Sequence, residues 1–223
     1  MATETAKYKK RLVPIKYYQD QEVDLNKQAL ARINGQYGDY LKKVAVWTNT
    51  FYEVLLMWAF IESNGENANP NKYGATGIFQ VTPATANETI RIEKRTGRMN
   101  INEEKELIRL IGKSRFDCIV GQAWDAQKKS CNGNKGISIT TADLLNVEFN
   151  MLVGALYLKQ MIDKHIENGV YRLDRTIVNY NQGRYAKIPD GSPIELYRAI
   201  GALETKNYIA KAVGINGIFE TIS

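Results

Sequence analysis

The stretch Phe51-Tyr52-Glu53-Val54-Leu55-Leu56-Met57-Trp58-Ala59-Phe60-Ile61-Glu62-Ser63 decides how the rest of the chain is read. Phe51, Val54, Leu55, Trp58 and Ala59 recur at helical spacing, and the next position on that stripe is Glu62. A helix this apolar is buried around most of its circumference. Its last turn therefore sets a carboxyl group beside a hydrophobic body, where ionisation is disfavoured and the pKa is expected to rise. A glutamic acid kept protonated near neutral pH is the proton donor that cleavage of a glycosidic bond requires. A second reading stays open at this point, a helix-terminal Glu whose head group simply reaches solvent.

The neighbouring residues bear on that choice. Gly65 and Asn67-Ala68-Asn69-Pro70-Asn71 end the helix and open a polar loop. Gly74 and Gly77 suit tight turns and close approach of backbone to a ligand. Ile78-Phe79-Gln80-Val81 is predicted to be a short extended segment with Gln80 as its one polar side chain. Thr82 followed by Pro83 is a helix start, with Thr at the N-cap and Pro in the first turn.

Glu62-Ser63, then Gly74-Ala75-Thr76-Gly77-Ile78-Phe79-Gln80-Val81-Thr82-Pro83 and Thr85-Ala86, resembles the signature of the soluble lytic transglycosylases of the lysozyme superfamily. Two further blocks agree in order and rough spacing. Asn150-Met151-Leu152-Val153-Gly154-Ala155-Leu156-Tyr157-Leu158 is similar to the family's Asn…Gly…Tyr-Leu helix, and Val178-Asn179-Tyr180-Asn181-Gln182-Gly183 to its Ala-Tyr-Asn-Ala-Gly block. The resemblance spans about residues 45 to 190. The sequence departs from it at Asn71, where many members have Ser, and at Ile78-Phe79, which replaces Leu-Met. Asn179 and Gln182 replace small residues flanking Tyr-Asn, and the stretch from about 87 to 145 is longer than the compact family core requires.

The resemblance implies an α+β, mostly helical, lysozyme-like (goose-type) fold with a small β-hairpin region at Gly74 to Val81. It divides the chain into an N-terminal arm and helix over 1–44 and a catalytic domain over 45–215, with an insertion at about 87–145. It also implies cleavage of the bond between N-acetylmuramic acid and N-acetylglucosamine in peptidoglycan, with a 1,6-anhydro product and no cofactor or metal. Glu62 is then the catalytic acid and later the base. Tyr180 orients Glu62, Asn181 helps hold substrate and backbone, and Gln80 reaches the sugar. Ser63 steadies the helix end, and Asn71 belongs to the substrate loop. Gly74, Gly77 and Gly154 are expected to be structural, and Tyr157 a packing residue.

Counting carboxylates is consistent with this. Ordinary glycosidases use two, one as acid and one as base or nucleophile. Between Glu62 and Val81 the only other acid is Glu66, and Tyr73 to Val81 holds none. A hydrolase of the same superfamily would need Glu66 or a distal residue such as Asp143 to activate water. A non-catalytic virion component keeping the fold is the other alternative.

Composition sets the frame. With 223 residues the chain can build a sizeable core. Its net charge of +6 favours anionic partners such as wall polymers or membrane surfaces. The one compact basic run, Lys7-Tyr8-Lys9-Lys10-Arg11, makes nucleic acid a minor reading. Thirteen tyrosines exceed expectation; most are expected to pack, and some could present aromatic faces to sugars. Met1 to Lys7 has no apolar core of a signal peptide, and no stretch of about 18 apolar residues would span a membrane. A wall enzyme without a signal peptide suggests a bacteriophage protein, carried in the virion among other tail or ejection proteins and acting in the host periplasm. Tyr8 to Asp24 is expected to be an extended arm that docks on a neighbouring subunit.

Elsewhere the pattern predicts helices over Leu25–Ile33 and Tyr40–Trp47, separated by Gly35 and Gly38. Others are expected at Ile101–Ile111, Phe116–Trp124, along Phe149 to Met161, and at Arg172–Asn181, Ile194–Leu203 and Asn207–Val213. Ser130 to Ile139 is expected to be a loop. The single histidine, His165, is read as a helical surface residue, which leaves neither a His-based triad nor a Cys/His metal cluster. Cys118 and Cys131 could pair or remain two structural thiols.

Overall fold

The computed structural model describes residues 7–121, 124–125, 130–131 and 138–222. The chain is mostly helical with a small three-stranded sheet, an α+β composition. In order, the elements are β1 (Lys7–Tyr8), α1 (Asp20–Thr48), α2 (Tyr52–Ser63), α3 (Pro83–Arg95), α4 (Ile101–Ile111) and α5 (Lys113–Val120). Then come β2 (Trp124–Asp125), β3 (Ser130–Cys131), α6 (Thr141–Leu144), α7 (Val147–Ile162), β4 (Ile166–Glu167) and β5 (Val170–Tyr171). The chain closes with α8 (Leu173–Gln182), α9 (Pro193–Ala199), α10 (Leu203–Val213) and α11 (Ile218–Thr221). Two compact units result, one from residues 37–157 and one from residues 1–36 with 158–223. The expected boundary at residue 44 falls inside α1.

In the 37–157 unit, α2 forms where the apolar run predicts it, and Val54, Leu55, Met57 and Ala59 are fully buried. Asn64 ends the helix in the left-handed region at φ 54, and the Gly65 N–H donates back to the Ala59 carbonyl (3.0 Å). Thr82 caps α3 by accepting from the Thr85 N–H (3.2 Å), with Pro83 in the first turn. Asn100 and Glu103 close a capping box on α4, and Gly112 ends it as expected. The long segment over 87–145 holds the rest of α3, then α4, α5, the β2–β3 ribbon and α6. Both α3 and α4 pack on α5.

The second unit carries a sheet in the order β1-β5-β4, with Lys7 and Tyr8 paired in parallel to Val170 and Tyr171. The Tyr8 ring stacks on Tyr171 at 4.3 Å. Beyond the sheet, α10 packs on α8 and α11.

Several expectations are corrected. Residues 7–16, expected in an extended arm docking on a neighbouring subunit, bond to their own chain. Leu12 and Val13 donate to the Val213 carbonyl, the Ile215 N–H donates to the Ile15 carbonyl (2.8 Å), and Arg11 pairs with Glu220 (2.7 Å). Asp20 to Asp24 already belong to α1. α1 runs unbroken through Gly35 and Gly38, because a mid-helix glycine costs only about 1 kcal/mol and the flanking apolar residues outweigh it. Ile78 to Val81 is not extended. Residues 77–80 form a turn closed by a single antiparallel bridge between Thr76 and Val81, and the sheet lies elsewhere. α5 ends at Val120, with Trp124 in a strand, and Ser130–Cys131 is a strand within the expected loop. The rest of that loop up to 137 and the Met1–Ala6 part of the N-terminal reading lie outside the described residues. Cys118 is disulfide-bonded rather than a thiol, on a helix against which β3 packs.

Candidate active site

Ser63, Asn71 and Gln80 fall in the same unit as Glu62, on a short stretch of chain bound together by local hydrogen bonds. Glu62 is half-buried in the last turn of α2, on the stripe that carries the buried Leu55 and Trp58. Its neighbour Ser63 donates through Oγ to the Ile78 carbonyl (2.9 Å) and to Ala59 (3.2 Å). That bond fastens the end of the helix to the Gly77–Gln80 turn. The Gly77 N–H donates to the Ala68 carbonyl (2.8 Å), and Thr76 and Val81 exchange backbone bonds (3.0 and 3.1 Å).

The turn is also clamped by α7. Asn150 is fully buried; its Oδ1 accepts from the Phe79 N–H (2.8 Å), and its Nδ2 donates to Thr76 (2.8 Å) and Leu144 (3.0 Å) carbonyls. One helical turn further on, a Cβ at Gly154 would lie 2.5 Å from the Phe79 Cβ, so only glycine lets Phe79 seat there. A Cβ at Gly77 would meet the Asn150 amide and the Leu144 carbonyl, and Gly77 has φ +75 besides. In the sequence Asn150 is one letter of a block, and nothing beside it in the chain gives it a role. Its function as a clamp emerges only when residue 150 and residues 76–79 are seen together.

Gln80 is the strained member of the turn. It takes φ 47, a region costing a non-glycine residue of order 1–2 kcal/mol, and its Nε2 donates to the Gly77 carbonyl (2.8 Å). Strain of this kind at a polar residue, in the turn to which Ser63 is bonded, motivates a functional hypothesis. Asn71 shapes the loop between α2 and the turn: its Oδ1 accepts from the Tyr73 (2.8 Å) and Ala75 (3.1 Å) N–H groups. Glu66 sits exposed in that loop. Asp143, the distal alternative base, accepts two bonds from Arg115 (2.6 and 2.8 Å) and caps α6 through Thr140. Burial alone would raise its pKa, but the Arg115 and Thr140 bonds prevail and hold it below the ordinary carboxylate value.

Tyr180 and Asn181 lie at the end of α8, in the other unit. Asn181 is exposed and accepts from Thr205 Oγ1 (2.8 Å), which in turn accepts from Gln182 Nε2 (2.9 Å). Asn179 is buried and bridges His165 Nε2 (2.8 Å) to the Gly183 and Ala186 carbonyls. His165 is therefore neither helical nor a surface residue; it is half-buried before β4, and burial pushes its pKa below the ordinary value. The Arg172 guanidinium forks onto the buried Asp174 (2.7 and 2.9 Å), pairs with Glu167 and donates to Gly191 (3.1 Å), fixing the start of α8 and the loop after it. Tyr157 is buried in α7.

Among the described residues, no helix is long and apolar enough to cross a membrane. In comparison with known proteins, no family model matches the chain, and no curated protein or solved structure matches it significantly.

Proposed function

We propose that the chain is a peptidoglycan lytic transglycosylase on a lysozyme-like fold. Glu62 donates its proton to the oxygen linking N-acetylmuramic acid to N-acetylglucosamine, and that bond breaks. The substrate's N-acetyl carbonyl stabilises the developing cation. Glu62, now a carboxylate, takes the proton from the C6 hydroxyl as that oxygen closes the 1,6-anhydro ring, so no water is consumed. Gln80 contacts the sugars.

The observation that carries this reading is the Glu62 helix end, bonded through Ser63 to a turn that Asn150 and Gly154 hold in place. A rigidly mounted single carboxylate suits one group acting as acid and base in turn. Asp143 is disfavoured as a water-activating partner by the way Arg115 and Thr140 occupy it. The biological setting we propose is a phage virion, where local opening of the wall precedes delivery of DNA. The test is a zymogram on peptidoglycan: the parent protein clears it, and Glu62→Gln does not while keeping its circular dichroism spectrum. Clearing by the Glu62→Gln variant overturns the assignment.

A further inference from the structure

The loop between Glu62 and the Gln80 turn carries an aromatic ring that the catalytic steps do not use. Tyr73 is 76% exposed, although the backbone around it is firmly built. Asn71 Oδ1 accepts from the Tyr73 and Ala75 N–H groups, and Asn71 exchanges further backbone bonds with Ala75 (3.0 Å) and Gly74 (2.9 Å). Thr76 Oγ1 donates to Gly74 (3.0 Å), and Gly74 itself takes φ +79. A turn fixed by this many bonds does not leave an aromatic ring in water for want of order. Some other tyrosines are engaged, Tyr8 stacking on Tyr171 and Tyr40 donating to Glu106 (2.9 Å), whereas Tyr185 is also strongly exposed. The Lys72 ammonium lies 4.9 Å from the centre of the Tyr73 ring, within cation–π range, and the rest of the ring meets solvent.

We infer that Tyr73 is a stacking platform for an amino-sugar ring of the glycan strand, with Lys72 beside it to meet a carboxylate substituent. The inference rests on the proposed function for the identity of the polymer. Its chemistry is independent of that reading. A phenol ring offers a flat apolar face to the C–H face of a pyranose, and an exposed ammonium adds attraction for an acidic side group. Asn71 then acts as a positioning residue. Expected as an orienting or substrate-binding residue of the substrate loop, it gives its side-chain oxygen to two backbone amides, and what those bonds orient is Tyr73.

The test uses the full chain carrying Glu62→Gln, so that ligand is bound without turnover. Calorimetry measures binding of a neutral N-acetylglucosamine oligomer and of a glycan oligomer bearing stem peptides. Tyr73→Ala should weaken both about tenfold, roughly the upper range for one aromatic contact, and Tyr73→Phe should restore binding. Lys72→Met should weaken only the peptide-bearing ligand. A purely structural role for Tyr73 would lower the melting temperature and leave the affinities alone. Unchanged affinities in Tyr73→Ala, or no binding of either oligomer by the Glu62→Gln protein, overturn the platform. If the oligomers bind as expected but the parent protein clears no peptidoglycan, the catalytic reading fails and the platform stands.

Discussion

Replacing Asn150 by alanine removes three hydrogen bonds at once, and their partners are not equally placed to recover. The Thr76 carbonyl keeps a second partner, the Val81 N–H at 3.1 Å. The Phe79 N–H and the Leu144 carbonyl lose the partner that Asn150 supplied, at a residue with no exposed surface. A hydrogen bond contributes a net of about 0.5–1.5 kcal/mol, so the three lost together cost roughly 1.5–4.5 kcal/mol. For a chain of this size each kcal/mol lowers Tm by about 2–4 °C, which gives a fall of roughly 3–18 °C. Asn150→Asp keeps the acceptor for Phe79 but sets a carboxylate against two carbonyl oxygens, and should be no better tolerated. Differential scanning calorimetry reads the shift. Lysis assayed well below the new Tm should fall as well, because the turn that carries Gln80 is no longer held. A fall of under about 2 °C in Asn150→Ala, with lysis unchanged, would refute the clamp.

Three further outcomes are expected. Gly154→Ala should destabilise by about 1–3 kcal/mol in urea titration, since the added methyl meets Phe79 at 2.5 Å; a stabilised variant, the usual result of adding helix propensity, would contradict that contact. Gln80→Gly sheds the cost of φ 47 and one hydrogen bond together, so stability should change by less than about 1 kcal/mol while lysis falls tenfold or more; full lysis would remove Gln80 from the site. Asp143 has a folded pKa held below its ordinary value of 3.8, so its stabilising contribution is present above that value and is lost as pH falls through the folded pKa. Urea midpoints of the parent and Asp143→Asn should therefore differ at pH 6 and converge toward pH 2; a constant difference would contradict the Arg115 pairing.

Local signals in the sequence carried much of this fold. The apolar run of α2, the Thr82-Pro83 start of α3 and the Ile101-to-Gly112 limits of α4 are written in adjacent residues, and the structure has them there. The features hidden from the sequence depend on distant partners. Ile78 to Val81 reads as a strand because four mostly apolar residues look alike in a strand and a buried turn; Asn150, about seventy residues away, makes it a turn. The two-residue strands β1, β4 and β5 are too short to show a period, and β1 finds its neighbour across most of the chain. His165 looks like a surface residue between Lys164 and Glu167, but it is half-buried and bonds to Asn179 on another element. At the candidate site, Glu62 was visible as a carboxylate out of place on an apolar stripe. The mounting of Glu62, by Ser63, Asn150 and Gly154, was visible only as letters of a resemblance until the hydrogen bonds gave each a task.

In the proposed reaction Glu62 serves as acid and then as base with no water in between. Mass spectrometry of peptidoglycan digested by the purified protein tests it most directly. Products ending in 1,6-anhydro-N-acetylmuramic acid, formed by the parent and absent with Glu62→Gln, are the predicted result. Products with reducing ends, carrying the added mass of one water, would contradict it.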